Sequence, residues 1–379
     1  VTLVGELPDL RSVEYELLVT VAEEGRIVTT ATCPVYVVDP LNRADLFPIM
    51  SIVGGSATGH RLDEAGLRDR IDDLLAHGFN TVTAGNARTL SRDGARSTFD
   101  SDYAQRQGMA VFFEYHSLTL VGREPVKPCV FDPAHRDRLR ERVEPQFDVC
   151  RRVARLLSIK ILDEPGMARN NIDFSIRCRE QFRERYGVEP PTDDELTHDV
   201  AARWRTADFL GYYLQSAYAM TREIKEEGGG DYDLLLTFNS PGLGYGRGWT
   251  HRQDILSWGA EAGRMDFDIY PYFYPKSQKV RMVQADFGLS MIREFARRLD
   301  MPWGFYVELD DRNWPYQQNP KEASGECAWT AVAQGADYLN SFIHRAFGTG
   351  VSSRPERWEF AGQELRNISR LRLFYVDFA

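Results

Sequence analysis

With 379 residues, the chain is long enough to form one large hydrophobic core or two smaller ones. Hydrophobic residues make up 43% and charged residues 27%, as in an ordinary globular protein, and no apolar run approaches the length of a membrane span. The formal net charge of −10 argues against nucleic acids and anionic membranes as partners, so a neutral substrate fits the composition better.

Residues 1–45 form a β-rich segment that differs from the rest of the chain. The stretches 13–22 and 26–38 are rich in β-branched residues and are separated by a turn-like EEGR. This pattern predicts a hairpin, and because two or three strands cannot close a sandwich alone, we interpret the segment as part of a β-sandwich or as an edge sheet. Residues 39–45 are predicted to be a polar linker.

From residue 46 to residue 379, predicted strands alternate with predicted helices. The strands are 47–53, 80–84, 109–115, 159–162, 233–238, 266–270, 303–307 and 337–343. The longer helices are 62–77, 134–157, 253–262, 279–299, 323–336 and 356–373, with a helical insertion over 172–227 that is interrupted at 187–191. This alternation predicts an α/β fold, a (β/α)8 TIM barrel, with an open doubly wound sheet as the alternative. No G-x-G-x-x-G follows the first strand, so no dinucleotide site is expected.

The cysteines predict neither a disulfide framework nor a zinc site. Their number is odd and they are scattered, at Cys33, Cys129, Cys150, Cys178 and Cys327, without C-x-x-C spacing. We therefore expect buried free thiols. The chain begins at Val1 without a signal peptide, and the sequence leaves its localisation open.

Acidic residues follow two of the predicted barrel strands. The fourth strand runs into Asp163 and Glu164, and the seventh ends at Glu308. The carboxyl ends of barrel strands meet at one rim, where TIM-barrel active sites lie. Two carboxyl groups from separate strand ends are what glycoside cleavage requires, one protonated and one ionised. The alternative is structural, with each acid paired to an arginine at the rim.

Two blocks of sequence resemble glycoside hydrolase family 42, the β-galactosidase-type barrels of clan A. The first is ECAWTAVAQGADYLNSFIHR (326–345), with Trp329, Gly335, Ala336, Asp337 and Arg345 at the family's spacings. The second comprises CREQFRERYG, ARWRTADFLGYYLQ and LLLTFNS within 178–240. ILDEPG (161–166) is similar to the family's acid/base motif, and VELDD (307–311) to its nucleophile strand.

The resemblance implies a retaining β-glycosidase without a cofactor, in which Glu164 is the general acid/base and Glu308 the nucleophile. It implies a carbohydrate substrate, and homo-oligomers are an expectation because the family's barrels commonly associate. Two departures affect sugar specificity. Asp163 replaces the family's Asn and can only accept hydrogen bonds when ionised, and His344 replaces a Trp near the end of the eighth strand.

Further residues are candidates for binding the sugar. By the resemblance, Asn239 lies at the end of the fifth barrel strand and Tyr270 at the end of the sixth, although packing explains Tyr270 equally well. His116, after the third strand, could contact a sugar hydroxyl or simply form a local hydrogen bond. Trp314, in a loop, could stack on a sugar face or pack on the barrel. Arg88, after the second strand, could orient Glu308 or be a solvated loop arginine.

Two alternatives to a glycosidase remain. A metal-dependent hydrolase would need clustered histidines, but His60 stands alone after the first strand and the other six are dispersed, so no metal site is expected. A catalytically inactive carbohydrate-binding or scaffolding barrel would explain Asp163 and His344, whereas glutamates at both strand ends favour an enzyme.

Overall fold

The computed structural model describes residues 14–23, 26–36, 41, 46–52, 64–86, 99–114, 129–151, 153–163, 175–239, 254–268, 278–309, 321–342 and 355–376. The predicted hairpin is confirmed: β1 (Glu14–Glu23) and β2 (Arg26–Tyr36) pair antiparallel. Ile27 and Val28 on β2 are exposed. That this hairpin belongs to a β-sandwich stays a prediction.

The predicted barrel is confirmed as a closed ring of eight parallel strands. The strands are β3 (Ile49–Ile52), β4 (Thr81–Asn86), β5 (Ala110–Glu114), β6 (Leu156–Asp163), β7 (Asp233–Asn239), β8 (Arg264–Asp268), β9 (Trp303–Glu308) and β10 (Tyr338–Phe342). They follow one another in chain order around the ring, and β10 pairs with both β9 and β3. That last pairing closes the sheet and excludes the open alternative.

Helices connect the strands and cover the outside of the ring. They are α1 (Glu64–Ala76), α2 (Phe99–Arg106), α3 (Pro133–Cys150), α4 (Ile176–Tyr186), α5 (Asp193–His198), α6 (Val200–Glu227), α7 (Ile255–Gly259), α8 (Gln278–Leu299), α9 (Ala323–Ala333) and α10 (Pro355–Val376). The predicted insertion consists of α4, α5 and α6. Its predicted break begins at Gly187, which ends α4 in the left-handed conformation, with a φ of 69°. Among the described residues, no helix has the length and hydropathy needed to cross a membrane.

The predicted boundary between α3 and β6 is wrong. The sequence pattern extends the helix to 157, whereas α3 ends at Cys150 and the strand begins at Leu156. The turn between them is fixed by Arg155, whose backbone N–H donates to Gln105 Oε1 (3.1 Å) and whose carbonyl accepts from Val111 (2.9 Å). Pairing with β5 therefore overrides the local helical pattern.

Residues of each barrel strand alternate between two environments. One set packs against the helices in the main core, for example Ile159, Ile161, Phe305 and Val307. The other set faces the barrel interior, where Met50, Ala110, Phe112, Leu157, Leu235 and Tyr338 form a separate cluster. Leu41 and Leu46 pack against this interior cluster from the segment that precedes β3. Period-two alternation thus separates the core of the barrel from the core around it.

The prediction of free thiols is wrong for two of the cysteines. Cys129 and Cys178 form a disulfide, with Cα atoms 6.4 Å apart, although 49 residues separate them in sequence. Cys129 lies before α3 and Cys178 in the first turn of α4. Cys129 comes after β5 and Cys178 after β6 along the chain, and because these strands are neighbours in the ring, the two cysteines lie close together, which spacing alone does not reveal. Cys150 and Cys327 are buried free thiols, as predicted.

Candidate active site

Four polar residues end adjacent strands on one rim of the barrel. Asp163 is the last residue of β6, Asn239 of β7, Asp268 of β8 and Glu308 of β9. Because the strands are parallel, these ends lie at the same rim, and the register pairs Asn239 with Asp268. The backbones of Asp163, Asn239 and Glu308 are described, whereas their side chains lie outside the described part of the chain.

The other candidates from the sequence belong to segments that the structure does not describe. These are Glu164, His116, Tyr270, Trp314, His344 and Arg88. Glu164 follows Asp163, the last residue of β6, directly along the chain. Their roles stay predictions.

Below this rim, a hydrogen bond crosses the barrel interior between β6 and β9. Lys160 Nζ donates to the Tyr306 hydroxyl at 2.9 Å, and both side chains are buried, with exposed fractions of 2% each. Two strands separate β6 from β9 on one side of the ring and four on the other. The bond therefore joins distant strands through the interior, and these two strands lead to Glu164 and Glu308.

A second polar contact in the interior joins β10 to β8. Asn340 Nδ2 donates to Asp266 Oδ2 at 3.2 Å, and both residues are fully buried. Asp268, two residues further along β8, is 8% exposed and lies nearer the rim. The upper interior of the barrel is thus polar and rich in carboxyl groups, in contrast to the apolar cluster below it.

Tyr338 and Arg264 lie beneath this polar layer. The Tyr338 hydroxyl donates to the Met265 carbonyl at 2.6 Å. Burial and the charge of Asp266 raise the pKa of Tyr338 well above its usual range, so this hydroxyl stays protonated. Arg264 lies over the Tyr338 ring, 4.8 Å from its centroid, and forms an ion pair with Asp233 at 3.1 Å. These contacts join β7, β8 and β10 to one another.

The sequence pattern did not single out five residues of the barrel interior: Lys160, Asp266, Asp268, Tyr306 and Asn340. A signal was available in the strand pattern, because polar residues recur at every second position in RMDFD (264–268) and in FYVE (305–308). Alternation within a buried barrel strand places such residues on the interior face. What the pattern could not supply is which of them meet across the ring.

The residues behind the sequence resemblance at 326–345 make packing contacts where the structure describes them. Asp337 accepts from the backbone N–H of Trp303 at 2.9 Å, and its own N–H donates to the Trp303 carbonyl at 2.9 Å. This reciprocal pair aligns the starts of β9 and β10. Trp329 on α9 donates through Nε1 to Glu364 on α10. The motif therefore fixes the positions of β9 and its neighbour β10.

Within the described ranges, no group of three or more His, Cys, Asp and Glu side chains is arranged to hold a metal ion. The carboxyl groups named above are suited to proton transfer and to stabilising positive charge. Both are functions that a carboxylate performs without a metal.

No protein-family profile matches the sequence, and no curated protein sequence matches it. Solved structures do match the fold. A β-galactosidase from Halorubrum lacusprofundi aligns with a TM-score of 0.65 and 15% identity, over 85% of this chain and 58% of that chain. A β-galactosidase from Rahnella sp. R3 aligns with a TM-score of 0.65 and 13% identity, over 87% of this chain and 56% of that chain.

A catalytic mutant of Gan42B, a GH42 β-galactosidase from G. stearothermophilus, gives a TM-score of 0.62 and 12% identity, over 86% of this chain and 57% of that chain. The chain thus spans less than two thirds of the length of each of these structures. At such identities the likeness is one of fold. The resemblance read from the sequence is confirmed at that level: this chain has the (β/α)8 barrel fold of the GH42 β-galactosidases.

Proposed function

We propose that the protein is a retaining glycoside hydrolase that cleaves β-glycosidic bonds. The observation that carries the proposal is the pair of strands β6 and β9, which end at the same rim with two strands between them; along the chain, Glu164 follows β6 and Glu308 is the last residue of β9. Retaining glycosidases need two carboxyl groups about 5–5.5 Å apart, on opposite sides of the bond that breaks. Strand ends that approach from separate parts of a barrel rim are suited to that arrangement.

In this mechanism Glu308 is the nucleophile and Glu164 the general acid/base. The Glu308 carboxylate attacks the anomeric carbon while Glu164 gives its proton to the leaving oxygen, which produces a covalent glycosyl-enzyme and a free alcohol. Glu164 then removes a proton from water, and the resulting attack releases the sugar and restores both carboxyl groups. Two inversions retain the anomeric configuration, and no cofactor is needed.

The charge of the interior supports this chemistry. Glycoside cleavage passes through a transition state with oxocarbenium character, which nearby negative charge stabilises. Asp266 and Asp268 place two carboxyl groups in the interior at and below the rim, on the strand next to the one that bears Glu308. A neutral sugar that gains positive charge during the reaction is therefore the substrate class that the site favours.

We propose β-galactosides as the first substrates to test, because the aligned structures are β-galactosidases. Asn239 and Asp163 end neighbouring strands and are proposed to hold sugar hydroxyls, with Tyr270, His116, Trp314, His344 and Arg88 around them. Asp163 would accept from a hydroxyl where an amide could also donate, so the preferred sugar is expected to differ from galactose if donation to its 2-hydroxyl is required.

The test is hydrolysis of 4-nitrophenyl and 2,4-dinitrophenyl β-glycosides, including galactosides, glucosides and glucuronides. Glu308→Ala should lower turnover by at least about 10⁴-fold, the order of loss expected when a nucleophile is removed. Azide should restore part of the rate and yield the α-glycosyl azide, since one displacement inverts the centre. Glu322→Ala, which removes an exposed glutamate before α9, is the matched control and should retain wild-type turnover.

Glu164→Ala distinguishes the second role. This variant should still form the glycosyl-enzyme from the 2,4-dinitrophenyl substrate, whose leaving group needs no proton, and azide should then give the β-glycosyl azide with retained configuration. Wild-type protein that turns over no member of the panel would contradict the proposal. Sugar binding by such silent protein would favour a binding barrel instead.

A further inference from the structure

Lys160 is a buried lysine in the barrel interior, four residues before Glu164. Its Nζ lies 2.9 Å from the Tyr306 hydroxyl and 5.2 Å from the centre of the Tyr306 ring, so the contact is directed at the oxygen and not at the ring face. Burying an ammonium group is costly unless opposite charge compensates it. Its position therefore requires negative charge close by.

The interior supplies that charge from several strands. The titratable residues at interior strand positions, other than Lys160 itself, are Glu114 on β5, Asp163 on β6, Asp233 on β7, Arg264, Asp266 and Asp268 on β8, Tyr306 and Glu308 on β9, and Tyr338 on β10. The remaining interior positions in the described parts of β3, β4 and β7 do not titrate: they are Met50, Ile52, Thr81, Thr83, Asn86, Leu235, Thr237 and Asn239. Six carboxylic acids thus occupy interior strand positions beside two bases, Lys160 and Arg264, so acidic groups outnumber basic ones along the interior faces of the strands.

The pair formed by Lys160 and Tyr306 lies one layer below the candidate nucleophile. Tyr306 precedes Glu308 by two residues on β9, so both occupy the interior face and their Cα atoms are about 6.6–6.8 Å apart. Lys160 precedes Asp163 by three residues on β6, where the register is interrupted between Lys160 and Leu162. The ammonium group is therefore beneath the rim and between the two strands of the proposed catalytic pair.

We propose that Lys160 is a positioning residue for the glycosidase reaction: its bond to Tyr306 holds β6 and β9 together across the interior, and its charge favours the ionised form of Glu308. The inference rests on the proposed function and adds a residue to it. Lys160 makes no contact with the substrate. It acts through Tyr306 and through its electric field.

A positioning role for Lys160 predicts a change in the pH dependence of kcat/KM that a purely structural lysine would not cause. The acidic limb of kcat/KM reports ionisation of the nucleophile in the free enzyme. Removing a positive charge near Glu308 disfavours its carboxylate, so the limb should move to higher pH by about one unit. At pH values below the limb, kcat/KM should then fall about tenfold.

The experiment compares three variants of the full chain with the wild type on a 2,4-dinitrophenyl β-glycoside from pH 3 to 9, after thermal unfolding has shown that each is folded. Lys160→Met keeps length and removes the charge, and Tyr306→Phe removes the hydroxyl that holds it. Tyr338→Phe is the matched control, because it removes another buried tyrosine hydroxyl of the same barrel, which is bonded to Met265. We expect the acidic limb of kcat/KM to move to higher pH in Lys160→Met, to move less in Tyr306→Phe and to stay at the wild-type pH in Tyr338→Phe.

An unchanged acidic limb in folded, active Lys160→Met would overturn the inference and leave the proposed function intact. If Lys160→Met does not fold, Tyr306→Phe provides the test. An acidic limb of Tyr306→Phe at the same pH as in the wild type and in Tyr338→Phe would overturn the inference equally. A Lys160→Arg variant that restores the wild-type limb would support the role of charge. Wild type without turnover overturns the proposed function and this inference together.

Discussion

Gly304 is the residue on β9 over which the Tyr338 side chain passes. A Cβ at this position would lie 2.1 Å from Tyr338 Cε2, far closer than van der Waals contact. The ring reaches from β10 across β9 to β8, where its hydroxyl binds the Met265 carbonyl at 2.6 Å. The absence of a side chain at 304 therefore allows one tyrosine to connect three neighbouring strands, directly below the strand end that bears Glu308.

We expect Gly304→Ala to lower the free energy of unfolding by about 1–3 kcal/mol, because the new methyl group overfills a rigid interior. Urea unfolding followed by tryptophan fluorescence measures the change. The control is the same substitution in a Tyr338→Leu background, where the smaller side chain leaves room for the methyl group. An equal loss in both backgrounds would show that the ring is not what the methyl group meets.

At the scale of elements, the Cys129–Cys178 disulfide joins the chain ahead of α3 to the first turn of α4. The segments that precede these two points are the connections that follow β5 and β6, and the second of them begins with Glu164. Both sulfur atoms belong to fully or almost fully buried residues. The bond thus restrains the unfolded chain and ties the residue ahead of α3 to α4, the helix that follows the proposed acid/base along the chain.

Reduction of this disulfide should lower the free energy of unfolding by up to about 4 kcal/mol, the loop-entropy value for a closed loop of 49 residues. The measurement is urea unfolding with and without a thiol reductant, together with a count of reactive thiols in denatured protein, which should rise by two on reduction. Cys327→Ala, at a buried free thiol, should show the same response to reductant as the wild type. In Cys178→Ala that response should vanish, and its persistence there would contradict the pairing.

At the scale of the whole molecule, two leucines that precede β3 pack under the barrel interior at the end opposite the candidate site. Leu41 and Leu46 pack against the apolar interior cluster, and the Leu41 backbone N–H approaches the Ala154 carbonyl at 3.5 Å. Leu41 falls in the segment that the sequence predicts to be a polar linker. The chain that joins the hairpin to the barrel therefore also covers the base of the barrel.

A chain that begins at residue 38 should unfold at the same urea concentration as the full chain, whereas Leu41→Ala should lower the free energy of unfolding by about 1–2 kcal/mol, less than for a fully buried leucine. Equilibrium unfolding measures both. Ile27→Ala in the full chain is the control, because that side chain is exposed and should change stability little. A large loss in the chain that begins at 38 would show that the hairpin itself stabilises the barrel.

Much of the fold was available from the sequence, because local periodicity determines strands and helices. All eight barrel strands were predicted in the correct order, and so were the hairpin and the division of the insertion at Gly187. The boundary between α3 and β6 was not predicted correctly, because pairing of β6 with β5 outweighs the helical pattern there. Acids at the ends of β6 and β9 were likewise found from the pattern alone, since a buried strand that ends in acids delivers them to the rim.

Only the tertiary structure decided which side chains meet. The Lys160–Tyr306 bond joins residues 146 positions apart, and Asn340–Asp266 joins residues 74 apart. The disulfide and the passage of Tyr338 over Gly304 depend in the same way on which strands are neighbours. The sequence by itself determined the strands and the acids that end them, because both follow from short-range alternation and burial. The contacts across the interior required the closed ring, because strand register and ring closure set distances that no local pattern encodes.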